Sequence, residues 1–93
     1  MKKFVFLMYG FEKPTPQIME AWNNWFEKIG EHIIEKAHLP RGVELSHEGR
    51  KELPMAADSI TGFITVNAQS LDEAEEMAST NPFVHSIRVY EVM

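Results

Sequence analysis

The stretch ITGFITVN at residues 60–67, followed by SLDE at 70–73, NP at 81–82 and SIRVYEV at 86–92, reads as strand, capped helix, strand. Ile60, Phe63, Ile64, Val66 and the two threonines are β-branched or aromatic residues, which suit a pleated, half-buried surface. Ser70 and Glu73 stand three apart, the spacing at which a hydroxyl and a carboxylate cap the first turn of a helix reciprocally. Asn81-Pro82 stops that helix, because the proline ring pushes the residue before it out of α geometry. A unit this compact predicts half of a small two-layer α+β domain.

The other half lies at the N-terminus. KFVFLMY at residues 3–9 alternates two apolar faces, with Phe4, Phe6 and Met8 on one and Val5, Leu7 and Tyr9 on the other. A strand apolar on both sides is covered on both sides. Its own helices supply one cover, and a second subunit is the simplest source of the other. Thr15-Pro16 pairs a hydroxyl cap with proline at the first helical position. From there Ile18, Trp22, Trp25, Phe26, Ile29 and Ile33 keep the spacing of one buried stripe, which predicts a helix to about Ala37. Gly30 inside it costs about 1 kcal/mol relative to Ala and is expected to permit close packing on the sheet. Leu39-Pro40-Arg41-Gly42 ends the segment. Val43–His47, a Glu48-Gly49 turn and Arg50–Leu53 have the pattern of a hairpin.

The expected order is therefore βαββαβ in one antiparallel α+β domain spanning residues 1–93. In such a sheet the first and last strands are antiparallel neighbours. Tyr9, Trp22, Trp25, Asn81, Phe83 and His85 are then expected to converge on one rim, the candidate ligand pocket.

Composition narrows the partners. The chain has 93 residues, a net charge of −5 and no cysteine. Its nine Lys and Arg are scattered, so a phosphate backbone would be repelled, and no nucleic-acid partner is expected. The absence of disulfide chemistry fits a reducing, cytoplasmic setting. The apolar run Phe4–Met8 is followed by Glu12 and Lys13 rather than a small-residue cleavage site, so it reads as a strand and not as a signal peptide. No segment approaches the roughly 20 apolar residues of a membrane span.

KFVFLMYG at the start, AWNNWFEKIG in the helix, GFITVNAQSLDEAEEMA and the closing NPFVHSIRVYEV together resemble the YCII-related family over most of the chain. The resemblance implies a ferredoxin-like protomer that pairs through its sheet as a dimeric α+β barrel. One branch of that family resembles enzymes built on a His–Asp pair, a His on the first helix and an Asp opening an Asp-Pro-aromatic motif. Here Trp25 stands at the His position and Asn81 of Asn81-Pro82-Phe83 at the Asp position. Neither an indole nor an amide shuttles protons near neutrality. A second branch carries Asp-Gly-Pro-Phe before its third strand, where this chain has Asp58-Ser59-Ile60-Thr61-Gly62.

Among titratable residues, His85 at the start of the last strand is the candidate acid–base group; the plainer reading is a polar His satisfied by backbone or water. Trp22 and Trp25 either line an aromatic cavity or are core. His32 and Glu35 are expected on one helical face, His38 at the helix end and His47 beside the turn, too scattered for a metal site. Arg88 and Tyr90 are expected to share a face with Phe63 and Thr65, where Arg88 needs an acidic partner such as Glu91, a residue of a second chain or an anionic ligand. Asp72, Glu73, Glu75 and Glu76 favour the dipole of the second helix. Phosphate-loop, nucleophile-elbow and zinc-ribbon motifs do not occur.

The resulting expectation is a cofactor-independent, homodimeric small-molecule-binding protein of the YCII-related type, with Tyr9, Trp22, Trp25, Asn81, Phe83 and His85 around the ligand. The alternatives are an isomerase, lyase or monooxygenase using His85, and a structural or regulatory dimer without ligand.

Overall fold

The computed structural model describes residues 1–10, 13, 15–54, 56, 58–82 and 85–93. Along them run β1 (Lys2–Tyr9), α1 (Pro16–Ile29), β2 (Ile33–His38), β3 (Gly42–Ser46), β4 (Gly49–Leu53), β5 (Ile60–Ala68), α2 (Leu71–Ser79) and β6 (Ser86–Val92), with a 3₁₀ turn at Gly30–His32. Four strands form one antiparallel sheet in the order β2-β5-β1-β6, and β3 and β4 form a separate hairpin. The fold is α+β with antiparallel sheets. The six-element order expected from the sequence is not matched, since six strands and two helices occur.

The difference starts at the end of α1. The helix stops at Ile29 rather than near Ala37, and the backbone becomes extended at Ile33, ψ 126°. Residues 33–38 pair with β5, which would otherwise leave a row of unpaired N–H and C=O groups along its edge. Strand pairing thus outweighs the helix propensity of Glu35, Lys36 and Ala37. Gly30 does not mediate close packing: it is exposed, and a Cβ there would meet nothing within 4 Å. His38 ends a strand and not a helix, and His32 and Glu35 no longer share a helical face.

The expected caps form. Thr15 Oγ1 accepts from the Ile18 N–H at 3.2 Å with Pro16 in the first turn. Ser70 Oγ accepts from the Glu73 N–H at 3.2 Å, while Glu73 Oε1 reaches back to the N–H of Gln69. The hairpin turn falls at His47-Glu48, one residue earlier than expected, because Gly49 at φ +116° supplies the left-handed conformation and pairs with Ser46.

Register fixes which residues share a face. Lys36, Ile64, Phe6 and Val89 form one cross-sheet row, and His38, Gly62, Met8 and Ile87 the next. These rows face the helices. Phe4, Phe6, Ile64 and Val66 are fully buried there, closed over by Trp25 and Ile29 of α1 and by Ala74 and Ala78 of α2. The Trp25 indole N–H donates to the Met77 carbonyl at 3.0 Å, which ties the two helices together across the core.

On the opposite face lie Val5, Leu7 and Tyr9 of β1, Phe63 and Thr65 of β5, and Arg88 and Tyr90 of β6, as the alternation predicts. No element of this chain among the described residues packs over them. Tyr90 is 50% exposed, and Val5, Leu7 and Phe63 are half-buried only by their neighbours in the sheet. The hairpin is exposed at every position of both strands. An ion pair within it, Arg50 to Glu52 at 3.6 Å, lies in solvent. The radius of gyration is 14.2 Å, against about 12 Å for a compact chain of this length.

Candidate functional site

The rim expected around the ligand separates into three places. Trp25 is 3% exposed and belongs to the core, its ring centroid 6.3 Å from Phe6 and 5.4 Å from Phe26. Tyr9 projects to the other side of the sheet, where the Arg88 guanidinium lies over its ring, 4.8 Å from the centroid. The acidic partner expected for Arg88 is not Glu91, which sits in register with Phe4 on the helix-facing side. Tyr9 does pair with Ser86, so the first strand's end and the last strand's start are neighbours as expected. His85 precedes Ser86 and is exposed, without a hydrogen bond among the described residues. Phe83 lies outside the described residues.

Asn81 is 5% exposed, and neither its amide nitrogen nor its amide oxygen finds a hydrogen-bond partner among the described residues. Its backbone N–H closes the end of α2 on the Ala78 carbonyl, 3.0 Å. A buried amide left this way costs about 1–3 kcal/mol. His32 is better satisfied. Its Nδ1 lies 3.0 Å from the Asn67 carbonyl, which can only accept, so the proton is on Nδ1. Among the described residues no three His, Asp or Glu side chains gather as metal ligands.

Of the expected site residues, Trp22 opens onto a cleft on the helix-facing side of the sheet. A cleft of about 420 Å³ lies between α1 and the sheet. Trp22 and Phe26, ring centroids 5.8 Å apart, form its helical wall, with Met8, Gly62 and Ile64 as its floor. Its far wall is β2, through Lys36 and His38. Lys36 Nζ sits over the Phe26 ring, 4.3 Å from the centroid.

Two features hold the cleft open. Gly62 has no side chain where a Cβ would stand 3.1 Å from the Ala37 carbonyl and 3.4 Å from Met8 Cε. Thr61 also lines the cleft, and its hydroxyl donates to the Gly10 carbonyl at 2.9 Å, pinning the β1–β5 margin beside the irregularity at Met8 and Tyr9. Volume and lining match the usual ligand cleft, mostly apolar with a few polar groups, at the small end of about 300–1,000 Å³. Sequence reasoning misses Lys36 and His38 because the helical periodicity carries on through both. Their signal is period-two alternation opposite Ile64 and Gly62, visible only once residues 33–38 are read as a strand.

A larger hollow of about 700 Å³ lies between the hairpin and the end of the sheet, touched by Tyr9, Arg41, Glu44, Lys51 and Asp58. It mixes both signs of charge and selects no ligand class. No helix among the described residues is long and apolar enough to cross a membrane. No protein-family model and no curated protein sequence matches this chain.

Proposed function

We propose that the protein is a homodimeric small-molecule-binding protein, related in design to the YCII-type dimeric α+β barrels, with its ligand in the cleft between α1 and β5. The cleft carries this reading: an open, aromatic-walled cavity persists on a core that is otherwise closed, and a glycine keeps its floor clear. Supporting the ferredoxin-like protomer, the chain without its β3–β4 excursion follows strand, helix, strand, strand, helix, strand, and the first strand lies between the last two of the four. Supporting the dimer, Val5, Leu7, Phe63 and Tyr90 form an apolar sheet face that the chain itself leaves bare. Burying such a surface is the main driving force of association. His85 has no orienting carboxylate among the described hydrogen bonds, so binding is favoured over acid–base catalysis.

Native mass spectrometry of the purified protein tests both parts. The expected result is a dimer whose excess mass disappears on denaturation. Leu7→Glu, which sets a charge in the middle of the bare face without touching the cleft lining, is expected to give a monomer that still retains its cleft. Persistence of the dimer in Phe63→Glu and Leu7→Glu overturns the sheet interface. Loss of retained ligand in Trp22→Ala, with the dimer intact, places the ligand in the cleft; unchanged retention removes it from there.

A further inference from the structure

We propose that the cleft takes a small aromatic carboxylate, its ring between Trp22 and the Met8–Ile64 floor and its anion held by Lys36. This rests on the cleft's being the binding site and adds the ligand's chemical class. Three cross-sheet rows face the helices: Ile33, Val66, Phe4 and Glu91; Lys36, Ile64, Phe6 and Val89; and His38, Gly62, Met8 and Ile87. Nine of these twelve positions are apolar or glycine, and the three that are not, Glu91, Lys36 and His38, lie on the two edge strands. Lys36 and His38 are the pair that stand side by side, both on β2 and both basic residue types. Both are exposed to solvent on that edge strand, and both line the cleft across from its aromatic wall.

Among the described residues, no carboxylate forms an ion pair with Lys36 and no Asp or Glu lines the cleft. Its ammonium rests on the Phe26 face instead. That contact stabilises the charge without consuming its N–H donors, which stay free for an acceptor. His38 stands two residues on in the same row direction and adds a second hydrogen-bonding group at the same mouth. The rest of the lining is flat or apolar, so the part of the ligand away from the anion is a ring rather than a sugar or a peptide. Gly62 sets the depth, since any side chain there would occupy the ring's place against Met8.

Benzoate, benzamide and benzamidine share one ring and differ in the charge of their head group. Titration of each into the protein, followed by NMR of the Met8 and Ile64 methyls and the Trp22 indole, reads the preference directly. Benzoate is expected to bind about tenfold more tightly than benzamide, the effect of one charge-assisted contact, with benzamidine weakest. Lys36→Met keeps the apolar stem against Phe26 and is expected to bring benzoate to the level of benzamide while leaving benzamide unchanged. Lys36→Gln repeats the test if the Met variant perturbs the core methyls of Ile29 and Val66. Equal binding of benzoate and benzamide, or a benzoate preference that survives both variants, overturns the carboxylate assignment. If none of the three ligands moves the cleft resonances, the cleft itself is not the binding site and both readings fall.

Discussion

Replacing Trp25 separates what its ring contributes from what its hydrogen bond contributes. Trp25→Ala removes an almost fully buried indole from between Phe6, Trp22 and Phe26. Lost transfer energy and the cavity left behind cost about 3–5 kcal/mol. A 93-residue domain has only about 5–14 kcal/mol in total, so this one change takes a large share. At about 4–8 °C per kcal/mol, the melting temperature falls by at least about 12 °C. Trp25→Phe keeps a ring against the same three neighbours but loses the N–H that reaches the Met77 carbonyl. That carbonyl keeps the Thr80 hydroxyl at 2.9 Å, so it is not orphaned, and the hydrogen bond itself contributes only about 0.5–1.5 kcal/mol. With the smaller ring volume the total is about 2 kcal/mol. Urea unfolding followed by circular dichroism, at one protein concentration because a dimer's midpoint depends on it, measures both. A Phe variant as unstable as the Ala variant would mean that the helix-to-helix hydrogen bond, not ring burial, dominates. If neither loses more than about 1 kcal/mol, Trp25 is not core and the packing described above is wrong.

Three further outcomes are expected. Asn81→Leu, close to isosteric, removes a buried amide without partners and raises stability by about 1–3 kcal/mol in the same urea assay; a loss would show that the amide is satisfied. Ser70→Ala deletes the acceptor for the Glu73 N–H and costs about 1 kcal/mol, whereas Ser70→Asp retains the cap and stays within a few tenths of the parent by thermal melting. Replacing residues 42–53 with a short Gly-rich turn leaves the NMR spectrum of the four-stranded sheet unchanged, since no hairpin residue is buried; widespread shifts in β1 and β5 would mean that the hairpin supports the body.

The strands were legible where turn chemistry and alternation agreed. Ser86–Val92 reads identically in sequence and structure, and Phe4, Phe6 and Met8 face the helices as their alternation requires. Residues 33–38 were not legible. Ile33 continues the helical stripe of Ile29, and Glu35, Lys36 and Ala37 are good helix formers, so local preference points to the wrong element. What overrides it is the unpaired edge of β5, a distant feature in the sequence. The candidate site inherited that error. Tyr9 and Trp25 were joined by strand order alone, which places residues at one end of a sheet without saying on which side. Side follows from register, and the Met8–Tyr9 irregularity sits where that choice is made.

Position in the sheet also bears on how fast the cleft exchanges its contents. β2 is held on one side only, by β5, and its ladder is interrupted between Ile33 and Glu35. Edge elements with few buried contacts open at lower free energy than the strands inside them. Lys36 and His38 therefore ride on an edge segment that detaches readily, while Ile64 and Met8 stay fixed on the two central strands. Entry and escape then need only a brief lifting of one short strand, not loosening of the core, and residence time becomes adjustable through β2 alone. Amide hydrogen exchange along β2 that is faster than along β1 would be the signature of that independence.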